Sequence, residues 1–185
     1  MIEVEIKLPI YDRELLDRKL TLLRFNKGIF VKESDIYFNS ESFDLKKKDM
    51  ALRIRTSTKI YTGESTTKIT YKGPKLDHVS MTRKELEMEV SDADTCYQIL
   101  DGIGFYPLRS VRKLRQYYYK EQMTACVDQV DGLGDFLELE MIVESESERE
   151  KALEEIERLL RILGYDKKET TRISYLSMLQ KEQAK

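Results

Sequence analysis

The sequence lacks the features of a membrane protein or of a disulfide-stabilised secreted protein. No apolar run approaches the roughly 18 residues that a membrane-spanning helix needs, and charge at the first strand positions is unlike a secretory signal peptide. The two cysteines, Cys96 and Cys126, are isolated, so neither a disulfide framework nor a zinc site is indicated. These absences predict a cytoplasmic protein with reduced thiols and no membrane partner.

An excess of positive charge is also missing. Lys and Arg total 32 against 34 for Asp and Glu, although charged residues make up 36% of the chain. A protein that binds nucleic acid through one large basic face needs a clear cationic surplus, so we expect no nucleic-acid partner. Hydrophobic residues form 41% of the chain and are well patterned, which argues against disorder. We expect one domain over residues 1–185.

Alternation of charged and apolar residues is the dominant pattern that is present. Its first example is the run IEVEIKL at residues 2–8, and similar period-2 segments follow at 35–38, 51–56, 67–72, 83–90, 111–119, 124–130 and 136–143. Because successive side chains of a strand point to opposite faces, each segment has one charged and one apolar face. An Asp131-Gly132 turn joins the last two segments as a hairpin. The pattern predicts about eight strands, mostly antiparallel.

Helical spacing of apolar residues separates some of these strands. It predicts helices over about 12–24, from a cap at Ser91 to Gly102, over about 152–163 and over 173–181. The lysine-rich run at 46–49 reads as a solvated loop, and His78, the only histidine, falls in a polar stretch and receives no chemical role. The amphipathic helices must pack against an apolar surface, and the apolar faces of the strands are the only large apolar surface that the sequence offers.

The charged strand faces must therefore turn away from the helices. An open sheet of eight strands tends to curl, and closure removes its exposed edges, so we predict an α+β fold: an eight-stranded antiparallel β-barrel with a charged interior and helices packed outside. The predicted interior residues are Glu3, Glu5, Lys7, Arg53, Arg55, Lys68, Thr70, Lys72, Arg83, Glu85, Glu87, Glu89, Lys113, Arg115, Cys126, Asp128, Glu138 and Glu140. The alternative is an open sheet that shows this face to water.

Burying so many charges costs folding free energy unless each charge is paired or contacts a ligand. Phosphate oxygens accept hydrogen bonds from Arg and Lys, and Mg²⁺ prefers carboxylate oxygens. A triphosphate with one or two divalent cations would satisfy both halves of the lining, so we predict a small molecule bearing a triphosphate as the binding partner.

The sequence also resembles the CYTH domains, or triphosphate tunnel metalloenzymes, which include class IV adenylyl cyclases, thiamine triphosphatases and inorganic triphosphatases. The resemblance starts with the E-x-E-x-K of Glu3, Glu5 and Lys7 and continues in family order over nearly the whole chain, through DIYFN, ALRIR, TYKGPK, RKELE, VRKLR, VDQV, FLELE and ISYL. The segments DIYFN, GPK and SYL look most like the class IV cyclase branch.

This resemblance implies roles for individual residues. Divalent metal, Mg²⁺ or Mn²⁺, would be held by Glu3, Glu5, Asp128, Glu138 and Glu140. The triphosphate would be bound by Lys7, Arg53, Arg55, Lys72, Arg83, Lys113, Arg115 and, near the tunnel mouth, Arg172. Of these, Glu5, Lys7, Glu138 and Glu140 would be catalytic. Met81 departs from the family, since a basic residue is frequent there, and this puts the nucleotide preference in doubt.

Three functions agree with these residues. The first is a class IV adenylyl cyclase that converts ATP to cyclic AMP and pyrophosphate; the second is an inorganic or thiamine triphosphatase; the third is a non-catalytic binder of triphosphate or polyphosphate. Five carboxylates favour an enzyme, since a pure binder gains little from them. The tunnel residues would serve both the cyclase and the triphosphatase reaction, so they do not indicate which triphosphate is the substrate. Homodimer formation, frequent among the relatives, stays open.

Overall fold

The computed structural model describes residues 2–76 and 80–183. Its strands, in chain order, are β1 (Ile2–Pro9), β2 (Asn26–Asn39), β3 (Ala51–Lys59), β4 (Ser65–Lys75), β5 (Arg83–Glu89), β6 (Tyr106–Pro107), β7 (Val111–Lys120), β8 (Met123–Val130) and β9 (Gly134–Val143). Its helices are α1 (Arg13–Leu22), α2 (Ala93–Gly102), α3 (Glu146–Ile162) and α4 (Tyr175–Gln183).

The strands form one closed antiparallel barrel. The order is β3-β4-β5-β1-β9-β8-β7-β2, and a further pairing of β2 with β3 closes the ring, while the short β6 lies beside β2. Each of the eight long strands is therefore hydrogen-bonded on both sides, which leaves no free sheet edge among them. The predicted α+β barrel is confirmed.

The apolar strand faces point outward and lie beneath the helices. The largest cluster joins β1, β8 and β9 to α1 and α3, and it contains Val4, Ile6, Leu139, Leu20 and Ile156. A second cluster places α2 over Phe38 and Ile54. Because α1, α2 and α3 cover these apolar faces from outside, the opposite faces of the strands form the interior. Helix α4 instead docks against Val111, Val130 and Phe136, which share strand faces with Lys113, Asp128 and Glu138, so it adjoins the cavity.

Several predicted boundaries were wrong in detail, among them that of α3, which begins at Glu146 rather than near residue 152. Helix α2 is capped by Asp92 rather than Ser91, because the Asp92 carboxylate accepts hydrogen bonds from the backbone N–H groups of Asp94 and Thr95. Strand β2 begins at Asn26, nine residues before the predicted segment at 35–38. The last helix begins at Tyr175 rather than at residue 173.

Other predicted features have the expected places. The lysine-rich run at 46–49 lies in the turn between β2 and β3, and Asp131-Gly132 closes the β8–β9 hairpin with Gly132 at a φ of 79°. His78 lies outside the described residues. None of the helices in the described ranges is long and apolar enough to cross a membrane.

Candidate triphosphate and metal site

The barrel encloses a cavity of about 890 Å³ whose wall is made mainly of charged side chains. Strands β1, β2, β3, β4, β5, β7 and β9 all contribute. The predicted site residues that line it are Glu3, Glu5, Lys7, Arg53, Arg55, Lys72, Arg83, Lys113, Arg115, Glu138, Glu140 and Arg172. The structure thus brings all but one of the predicted site residues to a single cavity, the exception being Asp128.

Two buried carboxylates of β2 hold the arginines of β3, and the sequence analysis had not included them among the interior residues. Asp35 accepts two hydrogen bonds from Arg55, at 2.6 and 2.7 Å, and lies 3.6 Å from Arg53. Glu33 lies 3.1 Å from Arg55 and 3.3 Å from Lys113. Burial opposes ionisation of both carboxyls, but the surrounding cations, with Arg55 the strongest, together outweigh it and keep the pKa of Glu33 and of Asp35 below the ordinary range.

Asp128 has a similar role on β8. It is fully buried and accepts two hydrogen bonds from Arg115, both at 2.6 Å, one from Lys113 at 3.1 Å and one from the Tyr175 hydroxyl at 3.0 Å. Its oxygens are therefore occupied by cations and a hydroxyl behind the cavity wall. The role of Asp128 as a metal ligand, which the family resemblance implies, stays a prediction, and the contacts favour that of an internal counter-ion.

A second group of carboxylates, on β1 and β9, is neutralised unevenly: Glu3 and Glu138 have cationic partners, Glu140 lies 3.7 Å from Arg115, and Glu5 has no ion pair within the described residues. Glu5 and Glu140 are register partners across this strand pair. Burial, with repulsion from Glu138, raises the pKa of Glu5 to about 7, and burial with repulsion from Glu3 raises the pKa of Glu140 well above its ordinary value. Glu138 differs, because the guanidinium of Arg115 bonds it directly and, against the effect of burial, keeps its pKa low.

The carboxylates Glu3, Glu5, Glu138 and Glu140 of β1 and β9, here called the anionic strip, suit a divalent cation. Burial and mutual repulsion disfavour the ionised forms of Glu5 and Glu140, a cost that a bound cation would offset, and Mg²⁺ takes hard carboxylate oxygens. Within residues 2–76 and 80–183, no three metal-ligating side chains converge as they stand. However, Mg²⁺ usually retains several waters and uses only one or two carboxylates together with substrate phosphates, so the neighbouring pair Glu5 and Glu140 would fit such a cation.

Lys72 links the anionic strip to the opposite wall. Its ammonium lies 2.5 Å from Glu85 and 3.6 Å from Glu3. Burial disfavours the charged lysine, but attraction to Glu3, Glu85 and Glu5 together outweighs it and raises the pKa of Lys72 to about 12. Lys72 is therefore a permanent cation beside the carboxylates, where it can contact both phosphate and the neighbouring acids.

Arg83 and Arg172 are placed differently from the other predicted cations. Arg83 donates to the backbone carbonyls of Gly73 and Asp49, at 3.0 and 3.2 Å, and Arg172 donates to the Ser80 carbonyl at 2.9 Å. Both line the cavity, but these bonds tie loops together at one end of the barrel. Their contact with substrate stays a prediction.

The same end of the cavity has an apolar lining that the sequence analysis did not anticipate. The residues come from the loop after β2, the segment before β7 and the start of α4, and they are Leu45, Met50, Leu108, Ile173 and Leu176. Met81 lies here too and is buried, with its backbone N–H bonded to the Glu5 carbonyl at 3.0 Å. The cavity therefore has a charged barrel interior and a less polar mouth.

Two tyrosines in the wall were also missed by sequence reasoning. Tyr117, on β7, donates to Glu33 at 3.3 Å, and Tyr175 donates to Asp128. The strand period would have placed Tyr117 on the face of Lys113 and Arg115. No local signal identifies Tyr175, because its direction depends on how α4 docks.

Comparison with known proteins gives a consistent result. The CYTH domain family matches residues 1–175. A Methanocaldococcus jannaschii protein named "Putative adenylate cyclase" is 40% identical over 181 residues, which cover 96% of this chain and 98% of that protein. The adenylate cyclase CyaB of Aeromonas hydrophila is 24% identical over 95% of this chain and 87% of its own length. A solved Pyrococcus horikoshii protein superposes with a TM-score of 0.89 at 36% identity, covering 97% of this chain and 99% of that one.

Proposed function

We propose that this chain, which belongs to the CYTH family, is a divalent-metal-dependent adenylyl cyclase that converts ATP to cyclic AMP and pyrophosphate. The observation that carries the proposal is that the cavity wall has a cationic part and an anionic part. Cations that are already held in place by Glu33, Asp35 and Asp128 face a strip of carboxylates that is incompletely neutralised. Within the described residues Glu5 has no ion pair, and Glu140 has only a long one, 3.7 Å from Arg115. A triphosphate with a divalent cation completes both sides.

The cations of β3 and β7 are preorganised for phosphate. Arg55 and Arg115 are each held by a bidentate carboxylate, so little side-chain entropy is lost when an anion arrives. The Arg53 Nε atom is buried without a hydrogen-bond partner in the described structure, although the residue lines the cavity. Donors fixed in this way stabilise the negative charge that builds up during phosphoryl transfer.

Glu5 and Glu140, with Glu3 beside them, would hold Mg²⁺ or Mn²⁺. When bound, the metal supplies charge neutralisation at the phosphate oxygens. The residues of this chain orient the substrate: Lys72 and Lys7 lie next to the acidic strip, where they neutralise phosphate charge and limit its repulsion from the glutamates. Attack of the ATP 3'-hydroxyl on the α-phosphorus would then release pyrophosphate into the cationic part of the cavity.

Two observations support a nucleotide as the substrate. The apolar mouth offers packing for a base and ribose, which inorganic tripolyphosphate does not require, and about 890 Å³ lies near the upper end of the range of roughly 300–1,000 Å³ found for ligand pockets. The M. jannaschii and A. hydrophila relatives both carry adenylate cyclase names.

Hydrolysis of inorganic or thiamine triphosphate is the second candidate. It is supported by the same cations and carboxylates, none of which selects the organic end of the substrate. The third is non-catalytic binding of triphosphate or polyphosphate, which would make no use of the carboxylate strip.

An assay of the purified protein separates these functions. ATP, tripolyphosphate and thiamine triphosphate are each incubated with Mg²⁺, with Mn²⁺ and with a chelator, and the products are resolved by chromatography. We expect cyclic AMP and pyrophosphate from ATP, and none with the chelator. Free phosphate without cyclic AMP would establish the triphosphatase instead, and tight binding without turnover would leave only the binder.

A further inference from the structure

Tyr175 lies where helix α4 meets the interior of the barrel. It is the first residue of that helix, its side chain is buried, and it forms part of the cavity wall. The ring packs edge-on against Phe136, with centroids 5.0 Å apart, and lies in the cluster that docks α4 with Val111, Val130 and Leu179. This packing fixes the direction in which the hydroxyl points.

The Tyr175 hydroxyl supports two cations through one carboxylate. It donates to Asp128 Oδ2 at 3.0 Å, and that carboxylate holds both Arg115 and Lys113. A carboxylate with a third fixed donor has less freedom to rotate away from its cations. The hydroxyl therefore helps to set the positions of Arg115 and Lys113 although it is bonded to neither.

The ring of the same tyrosine faces two ammonium groups. Lys7 Nζ lies 4.4 Å from the ring centroid and Lys113 Nζ lies 5.3 Å from it. Both distances are within the roughly 6 Å over which a cation is attracted to an aromatic face. Lys7 is also 3.9 Å from Glu138, so the ring and a carboxylate hold this ammonium between them.

We propose that Tyr175 is a positioning residue of the triphosphate site: its hydroxyl fixes Asp128 and its ring fixes Lys7 and Lys113, so that triphosphate affinity depends on the docking of α4. The inference rests on the proposed function only in taking these cations as phosphate ligands. A tyrosine that merely filled the core would contribute to stability without a selective effect on affinity or on the lysines.

The chain offers a matched control in Tyr118. This tyrosine is also buried, and its hydroxyl also donates to a carboxylate, that of Asp17, but it belongs to the cluster outside the barrel and does not line the cavity. Tyr118→Phe and Tyr175→Phe remove the same atom from the same kind of bond. A general loss of stability would therefore appear in both variants, and a loss of site geometry only in the second.

The experiment compares wild type, Tyr175→Phe, Tyr175→Leu and Tyr118→Phe. Affinity for tripolyphosphate is measured by calorimetry in a chelator and again with Mg²⁺, and KM and kcat are measured for whichever triphosphate is turned over. We expect Tyr175→Phe to weaken tripolyphosphate binding about fivefold to tenfold and to raise KM more than it lowers kcat, with a larger loss for Tyr175→Leu. Tyr118→Phe should bind as wild type does.

A second measurement needs no ligand. Lysine acylation of the free protein, mapped by mass spectrometry, reports access to each ammonium, and we expect Tyr175→Leu to accelerate labelling of Lys7 and Lys113 relative to Lys59 on the surface. Equal affinities and labelling rates in all variants would overturn the positioning role. If wild type fails to bind tripolyphosphate, the proposed function falls, and the labelling rates alone decide the role of Tyr175.

Discussion

Glu5 and Glu140 occupy directly opposite positions of the β1–β9 pair, so a buried and a half-buried carboxylate project from neighbouring points of the barrel wall into the same cavity. Side chains at opposite positions of an antiparallel pair have Cβ atoms about 4.5–5.5 Å apart. Like charges at this distance repel, and burial adds to the cost of ionising them. This pair is the part of the wall that most requires a cation from outside the chain.

The first prediction concerns the loss of one of these carboxylates. Glu5→Gln should reduce metal-dependent turnover by at least about 100-fold, on the scale at which one transition-state electrostatic contact contributes, while the barrel stays folded because repulsion is relieved. Turnover with Mg²⁺ and circular dichroism provide the measurements. Glu89→Gln changes a strand glutamate that was predicted to face the interior but is exposed and does not line the cavity, and this variant should be fully active. Full activity of Glu5→Gln would contradict the site assignment.

The second prediction concerns the pH dependence of stability without metal. The pKa of Glu5 is about 7 in the folded protein, above its ordinary value of 4.5. Between these values the folded state binds more protons than the unfolded state, so this carboxyl lowers the free energy of unfolding as pH rises toward 7. Glutamine does not titrate, and Glu5→Gln should therefore stabilise the protein more at pH 8 than at pH 5, by on the order of 1–3 kcal/mol.

Denaturant unfolding in a chelator at the two pH values measures this difference. A stability difference between variant and wild type that is the same at pH 5 and pH 8 would show that Glu5 ionises normally. It would also remove the main reason for placing a metal beside it.

The third prediction concerns Lys72. Lys72→Ala removes a cation between Glu3 and Glu85 and should weaken tripolyphosphate binding about tenfold or more, since a charge-assisted contact is lost and two acids are left facing the ligand. Titration calorimetry compares it with Lys59→Ala, which breaks an exposed ion pair with Glu64 and should bind normally. Unchanged affinity of Lys72→Ala would show that the ligand does not reach this wall.

The barrel was predictable because its alternation is unusually clean. In β1 and β3 the charged residues fall on one face and the apolar residues on the other, and the same alternation dominates the glutamate-bearing parts of β5 and β9. Covering helices leave only one arrangement of those faces. The five metal candidates and most of the phosphate candidates could be named from this period and from the family resemblance together.

Strand β2 was only partly predictable. Its register shifts between Lys27 and Phe30, where the ring of Tyr119 lies so close to Gly28 that a Cβ there would meet it at 2.3 Å. Glu33 lies before the predicted segment at 35–38, and Lys32 and Ser34 on the opposite face make the alternation of charged and apolar residues less clear there than in β1. The two β2 carboxylates were therefore not recognised as interior residues. It could not be predicted either that the Tyr175 side chain points into the cavity wall, because its orientation is set by the packing of α4 on Phe136 rather than by local sequence.

The fourth prediction separates the two kinds of buried acid. Asp128→Asn should destabilise the protein by roughly 3–5 kcal/mol, because Arg115 and Lys113 would lose a buried counter-ion. Glu5→Gln, by contrast, should be neutral or stabilising near pH 8 for the reason given above. Both are conservative carboxylate-to-amide changes within the same barrel, so each serves as the control for the other.

Denaturant unfolding and Mn²⁺ binding, the latter followed by electron paramagnetic resonance, distinguish the roles. As a counter-ion, Asp128 should matter chiefly for stability. At low temperature and without denaturant, where Asp128→Asn is folded, it should retain most of the Mn²⁺ affinity of the wild type. Loss of Mn²⁺ binding with stability unchanged would instead make Asp128 a metal ligand, as the family resemblance implies. In that case Tyr175, which donates to the same carboxylate, would act next to the metal rather than behind the phosphate-binding cations.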